Sequence, residues 1–416
     1  MTRNATTLRV WTIAVVGVAL LLLVWALVGC NEEPPASIND QIVPAPDATP
    51  IVTGVTPPPP GLAGATVLTI AGSNFSPVKD SNIVMFNNVK GAVLSASPTQ
   101  LTVTAGVIVS DTVWIKVGRL KSTQFSTPSL QYKLLPAVEA FGGLGKFDSP
   151  VGMVAETTGV LYASMLSGTS GAGVKKFTAD GKKTDYSPVL TTTVNRWTGM
   201  KMGWGGALFT ASIRQIVWRI PPGGGAAVSW VSLTPATTKI FDLDFDANGN
   251  MWAAGDNATV FRLKQDKSIK TVPFKANVRA VRVYNNYLYL GGKRDSLEKV
   301  WRLPLVADTL GAEEEYFNFS SVYGANGPGV YSLTFSTDGY MYIGTNGADG
   351  IVLVRPDRTS EPLYPGLFAP TTVSLAWGQG AYLYVGKSKS TIDSTSNIFR
   401  VNTLKEGAPY YGNYLP

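Results

Sequence analysis

The chain has 416 residues, of which 45% are hydrophobic and 15% charged, with a formal net charge of +7, one cysteine and no histidine. That inventory excludes a Ser-His-Asp triad, a Cys–His pair, a histidine-ligated zinc site and the ordinary pH switch. It leaves Asp, Glu, Lys, Tyr or an oxygen-ligated calcium to carry any chemistry, and the scattered basic residues give no footprint for a nucleic-acid partner.

The chain opens with Arg3 and Arg9, an uncharged run from Val10 to Val28, and Leu27-Val28-Gly29-Cys30. A charged n-region, an apolar h-region and small residues at a cleavage point read as a signal peptide over residues 1–29. The last four residues resemble the lipobox of bacterial lipoproteins, which implies that Cys30 is acylated and becomes the first mature residue. An uncleaved transmembrane helix is the alternative, since about 19 apolar residues can just span a bilayer. The lipoprotein reading also accounts for a lone thiol in an exported chain. Without Arg3 and Arg9 the remaining chain carries +5.

Residues 30–49 are rich in proline and poor in large apolar side chains, which suits an extended tether. Asn31-Glu32-Glu33 resembles the surface-export signal of Bacteroidota lipoproteins; a solvated linker is the plainer reading. These features predict a lipid-anchored protein at the outer membrane or cell surface, exported through the inner membrane.

From residue 50 to 133, short β-rich segments alternate with turn residues: Val67–Ile70, Ile83–Phe86, Leu101–Thr104 and Val113–Val117, separated by Gly72-Ser73-Asn74, Asn87-Asn88 and Ser97-Pro98. Such spacing predicts a small β-sandwich. The order Val55-Thr56-Pro57, Thr69–Phe75, Val84–Val89, Val113–Val117 and Tyr132 resembles the IPT/TIG family of immunoglobulin-like domains. Gly72 and Asn74 tolerate positive φ there, and Phe75 can fold back onto the core.

From 137 to 416 the chain repeats. An aromatic strand marker recurs at Leu161-Tyr162, Leu208-Phe209, Met251-Trp252, Leu288-Tyr289, Met341-Tyr342 and Leu383-Tyr384, with spacings of 47, 43, 37, 53 and 42 residues. A second marker follows each time, as in Val217-Trp218-Arg219-Ile220 and Ile398-Phe399-Arg400-Val401. A period of roughly 40–50 residues is that of a four-stranded propeller blade. Phe141–Met153, leading into Leu161-Tyr162 and Val174–Phe177, resembles an NHL repeat. The expected fold class is therefore all-β: an immunoglobulin-like sandwich followed by a six-bladed β-propeller. The fourth strand of blade six is expected from Lys133–Phe141 in preference to Ala408–Tyr414.

Asp242, Asp244 and Asp246 alternate with aromatic and apolar residues and share one strand face. Asp244 to Gly249 matches the first half of an EF-hand loop, but Gly255 stands where the bidentate glutamate belongs, so calcium is disfavoured and no cofactor is expected. Asp246 reads better as a turn residue.

Counting back from each aromatic marker aligns Val154, Lys201, Asp244, Arg282, Thr334 and Ala376 on the inner strands. Lys201, Asp242, Asp244, Arg282 and Thr334 then form either a polar channel pocket for a charged or hydroxylated ligand, or an ion-pair network that holds the channel closed. The function expected is binding or scaffolding toward a glycan or envelope protein. The rival is a propeller enzyme of lyase, lactonase or glycoside hydrolase type with a histidine-free site.

Overall fold

A computed structural model describes residues 47–127, 129–190, 196–367, 370–389 and 395–416. The signal peptide, Cys30 and most of the tether lie outside the described residues.

Two sheets build the sandwich. One orders Ile51–Thr56, Val67–Ser73, Gln100–Thr104 and Ala92–Ser97; the other orders Gly61–Leu62, Leu130–Leu135, Ser110–Arg119, Asn82–Phe86 and Val89–Lys90. Period-2 patterning explains the layers. Val113, Ile115 and Val117 are fully buried, while Trp114 between them is 43% exposed. Leu68, Ile70, Leu101 and Val103 face them from the first sheet. Phe75 joins this core as expected, and Asn74 has a φ of 62°. Gly72 serves differently from the sequence reading: its φ is not positive, and a Cβ there would lie 2.0 Å from the Ile51 carbonyl oxygen. Close strand approach requires this glycine, not a left-handed turn.

Pro136-Ala137 alone separates the last sandwich strand, ending at Leu135, from Val138–Phe141. That segment is the outermost strand of blade six. It pairs with Asn397–Asn402, which pairs with Tyr382–Lys387 and then the inner strand Thr372–Trp377. Chain segments from opposite ends of the repeat array thus share one sheet, which closes the ring. Across the seam Glu139 sits opposite Arg400, and their side chains pair at 2.8 Å.

The other five blades run in simple antiparallel order. Their inner strands are Asp148–Ala155, Met200–Gly203, Ile240–Phe245, Asn277–Tyr284 and Val330–Phe335. The second strand of each blade is buried on both faces because a neighbouring blade covers each side; Met251–Gly255 and Met341–Thr345 are buried throughout. Their aromatic markers all lie inside, from Trp252 at 0% to Tyr162 at 4% exposure. Several meet rings across blade boundaries in edge-on or tilted contacts: Phe209 with Phe245 at 5.7 Å, Tyr289 with Phe335 at 4.5 Å and Tyr342 with Trp377 at 5.3 Å. Blade four carries an additional short strand, Thr309–Leu310, and a helical turn, Phe319–Tyr323, which account for the longest repeat spacing. Asn285 and Asn286 adopt positive φ at the turn that joins the first two strands of blade four.

Candidate functional site: a channel closed at one end

The inner strands surround a channel whose two ends differ. At the ends where these strands finish, the segment from Leu404 onward folds across the opening. Ala408 N–H donates to the Phe335 carbonyl at 2.9 Å, Gly407 bridges to Ser336, and Gly205 N–H donates to the Pro416 carbonyl at 3.0 Å. Gly412 is buried so tightly that a Cβ would meet the Met202 carbonyl oxygen at 1.9 Å. Tyr410 projects inward from this plug and is 6% exposed.

At the opposite end, where the inner strands begin, the channel opens into a cavity of about 220 Å³. Lys201 and Asp242 line it with Arg196, Phe241, Tyr331 and Tyr410, the last belonging to the plug. Among the described residues, the result is a pocket open at one end.

The charged residues form two pairs with different environments. Arg282 donates from Nη1 to Asp244 Oδ2 at 2.9 Å, and both side chains are 1% exposed. Asp244 also accepts from Val283 N–H at 2.8 Å and Phe245 N–H at 3.0 Å. Arg282 Nη2 donates to the carbonyls of Ala408 and Pro409 at 3.0 and 2.9 Å, and its guanidinium lies 4.0 Å from the Tyr410 ring centroid. Thr334 Oγ1 bonds the Tyr410 hydroxyl at 2.9 Å.

Lys201 meets Asp242 instead, at 3.5 Å. Asp242 accepts from Leu243 N–H through Oδ1 and from Val281 N–H through Oδ2, each at 2.9 Å. Asp242 and Asp244 therefore staple the inner strand of blade three to that of blade four with side-chain oxygens. Burial opposes the Lys201 ammonium, but the carboxylates of Asp242 and Asp244 outweigh it, and its pKa is raised above the ordinary lysine value. Burial pushes the Asp242 carboxyl up, against the opposing pull of Lys201 and two backbone donors.

Lys201 pairs with Asp242, and Arg282 with Asp244. Of the five residues proposed to bind ligand, only Lys201 and Asp242 line the cavity; Asp244, Arg282 and Thr334 are each 0% exposed, with Arg282 and Thr334 bonded to the plug beneath it and Asp244 holding Arg282. A cavity thus lies above and a buried ion pair below. Arg196, Phe241 and Tyr331 precede the aligned positions by a few residues, and the same counting could have reached them. Tyr410 lies beyond the last repeat, where no periodicity points to it.

Asp246 is a turn residue, as its position suggested. It accepts from Asn248 N–H, Asn250 N–H, Asn250 Nδ2 and Trp252 Nε1, all at 2.8–2.9 Å. Its oxygens are thereby committed to the blade. No group of three or more Asp, Glu, His or Cys side chains able to hold a metal occurs among the described residues. No helix among the described residues is long and apolar enough to cross a membrane; the Val10–Val28 run lies outside them.

No curated protein matches the chain in sequence. Among solved structures, an auxiliary nutrient binding protein from Bacteroides thetaiotaomicron is 10% identical, with 86% of this chain and 98% of that chain covered at a TM-score of 0.52. A structural genomics protein of unknown function from the same organism is 14% identical, with the same coverage and a TM-score of 0.50. A luciferin-regenerating enzyme is 16% identical, covering 66% of this chain and 98% of that chain at a TM-score of 0.51. At such identities the likeness is one of fold alone. Residues 50–133 match the IPT/TIG domain family. The chain thus carries an IPT/TIG domain followed by a six-bladed β-propeller.

Proposed function

We propose that this chain is a binding protein of the cell envelope, anchored through an acylated Cys30 and taking a glycan or the end of an envelope component into the open mouth of its propeller channel. The observation that carries this reading is the cavity itself. It is concave, closed below by Tyr410, walled by the apolar side chains of Phe241 and Tyr331, and provided with one convergent charged pair, Lys201–Asp242. A few placed polar groups in an apolar hollow are what small-ligand recognition requires.

Recognition suits this chemistry better than catalysis. The chain has no histidine to shuttle a proton, and Asp242, the acid of the lined pair, is tied to two backbone donors. The nutrient-binding protein among the similar folds is consistent with surface capture, although the cavity carries the argument.

The test is a glycan-array and calorimetry screen of the chain from residue 30 onward with Cys30→Ser, which removes the acylation site. Binding that is lost in Lys201→Met, with the far-ultraviolet spectrum of the folded chain retained, supports the reading. Absence of any ligand, or product formation from a bound sugar, overturns it.

A further inference from the structure

We propose that the channel cavity takes the terminal, carboxylate-bearing ring of an acidic saccharide. This rests on the binding reading above and adds two things to it: the sign of the ligand's charge, and its entry by a chain end.

The charge follows from unequal satisfaction of the two lined partners. Asp242 has each oxygen engaged by a backbone N–H at 2.9 Å. Lys201 is nine-tenths buried, with 9% exposure, yet its Nζ has the 3.5 Å contact to Asp242 as its one hydrogen bond among the described residues, with the Tyr410 ring centroid 5.8 Å away. An ammonium carries three donors, so at least two remain for a guest. Arg196 adds a second cation at the exposed mouth. Arg279 also lines the cavity, but its charge is met by Glu298 and its Nε donates to the Val330 carbonyl at 2.7 Å. The cavity thus offers unspent donors from its cations, while Asp242 already has both oxygens engaged by backbone donors. A carboxylate is the guest that best satisfies such a set, because ionised partners form the stronger hydrogen bonds.

The size and closure set the rest. A cavity of about 220 Å³ falls below the roughly 300–1,000 Å³ of pockets that take drug-sized ligands, which suits a guest of one ring. Phe241 offers an apolar surface against which a sugar ring can lie, beside Tyr331, whose ring carries the Arg279 guanidinium 5.1 Å from its centroid. Tyr410 is buried beneath the cavity and bonded to Thr334 at 2.9 Å, so a polymer cannot thread through. Only a terminal ring can enter.

The experiment uses the Cys30→Ser chain from residue 30 in calorimetry with D-glucuronate, D-glucose, and galacturonate oligomers of one to three rings. Glucuronate should bind roughly tenfold or more tightly than glucose, the effect of one charge-assisted hydrogen bond. Lys201→Met should abolish that preference, and Arg196→Ala, at an exposed position, should reduce it severalfold with the melting temperature unchanged. Affinity per molecule should be nearly constant from one to three rings. Equal binding of glucose and glucuronate, or affinity that climbs steeply with oligomer length, overturns this proposal and leaves the binding reading intact. Failure of every saccharide, acidic or neutral, overturns both.

Discussion

Arg282 and Asp244 form a 2.9 Å ion pair at the centre of the propeller, each side chain 1% exposed, and the same guanidinium holds the carbonyls of Ala408 and Pro409. One arginine therefore ties blade three, blade four and the plug together. Removing one member of such a pair leaves a buried charge without compensation. Asp244→Ala should destabilise the fold by about 3–5 kcal/mol. Asp244→Asn, which keeps an oxygen acceptor, should cost less. Denaturant melts of both variants decide this, and a loss under about 1 kcal/mol for Asp244→Ala, the size expected of an exposed pair, would contradict the assignment.

The two segments that complete the propeller should differ in their importance. Deleting Val138–Phe141 removes the outer strand of blade six and the Glu139–Arg400 pair. That deletion should prevent cooperative folding of the ring. Ending the chain at Gly407 removes the plug but leaves all six sheets, so it should lower the melting temperature while preserving the far-ultraviolet spectrum. Equal damage from both would show that the plug nucleates the fold.

Asp246 should behave as a structural residue. Asp246→Ala leaves four donors without their carboxylate, among them the buried indole N–H of Trp252. A loss of about 2–4 kcal/mol is expected from the unmet donors. Addition of calcium to the wild-type chain should leave the melting temperature unchanged, and a saturable upward shift abolished by Asp246→Ala would reverse this view.

Alkaline pH should weaken the propeller through its buried phenols. Burial pushes the Tyr289 hydroxyl up to about 12. The folded value lies above the unfolded one of about 10, so the stabilisation is complete below that pH and is lost as pH rises through about 12. The loss attributable to Tyr289 is on the order of 1–3 kcal/mol. Thermal melts between neutral pH and pH 12, followed with tyrosinate absorbance, should show that loss reduced in Tyr289→Phe.

Cys30 is tested in cells. Cys30→Ala should leave an uncleaved precursor, and the wild-type mature chain should partition into detergent. Normal processing and detergent partitioning of the alanine variant would refute lipidation.

The sequence by itself determined the architecture and much of the channel. Period-2 alternation such as Val113, Ile115 and Val117 fixes which face of a strand is buried, and recurrence of Tyr162, Phe209, Trp252, Tyr289, Tyr342 and Tyr384 fixes the blades. Both are local patterns written along one strand. Counting from those markers also brought Lys201, Asp244, Arg282 and Thr334 to the channel, because every blade repeats the same register. Tertiary structure decided how these residues divide. Which carboxylate meets Lys201 depends on how neighbouring strands are staggered, and that stagger leaves no trace in either strand alone. The plug was illegible for a related reason: Tyr410 follows the last repeat, and its place beneath the cavity arises from contacts with Arg282 and Thr334, 128 and 76 positions away in the chain. Chain closure brought these residues together, and with them came the difference between an open channel and a pocket.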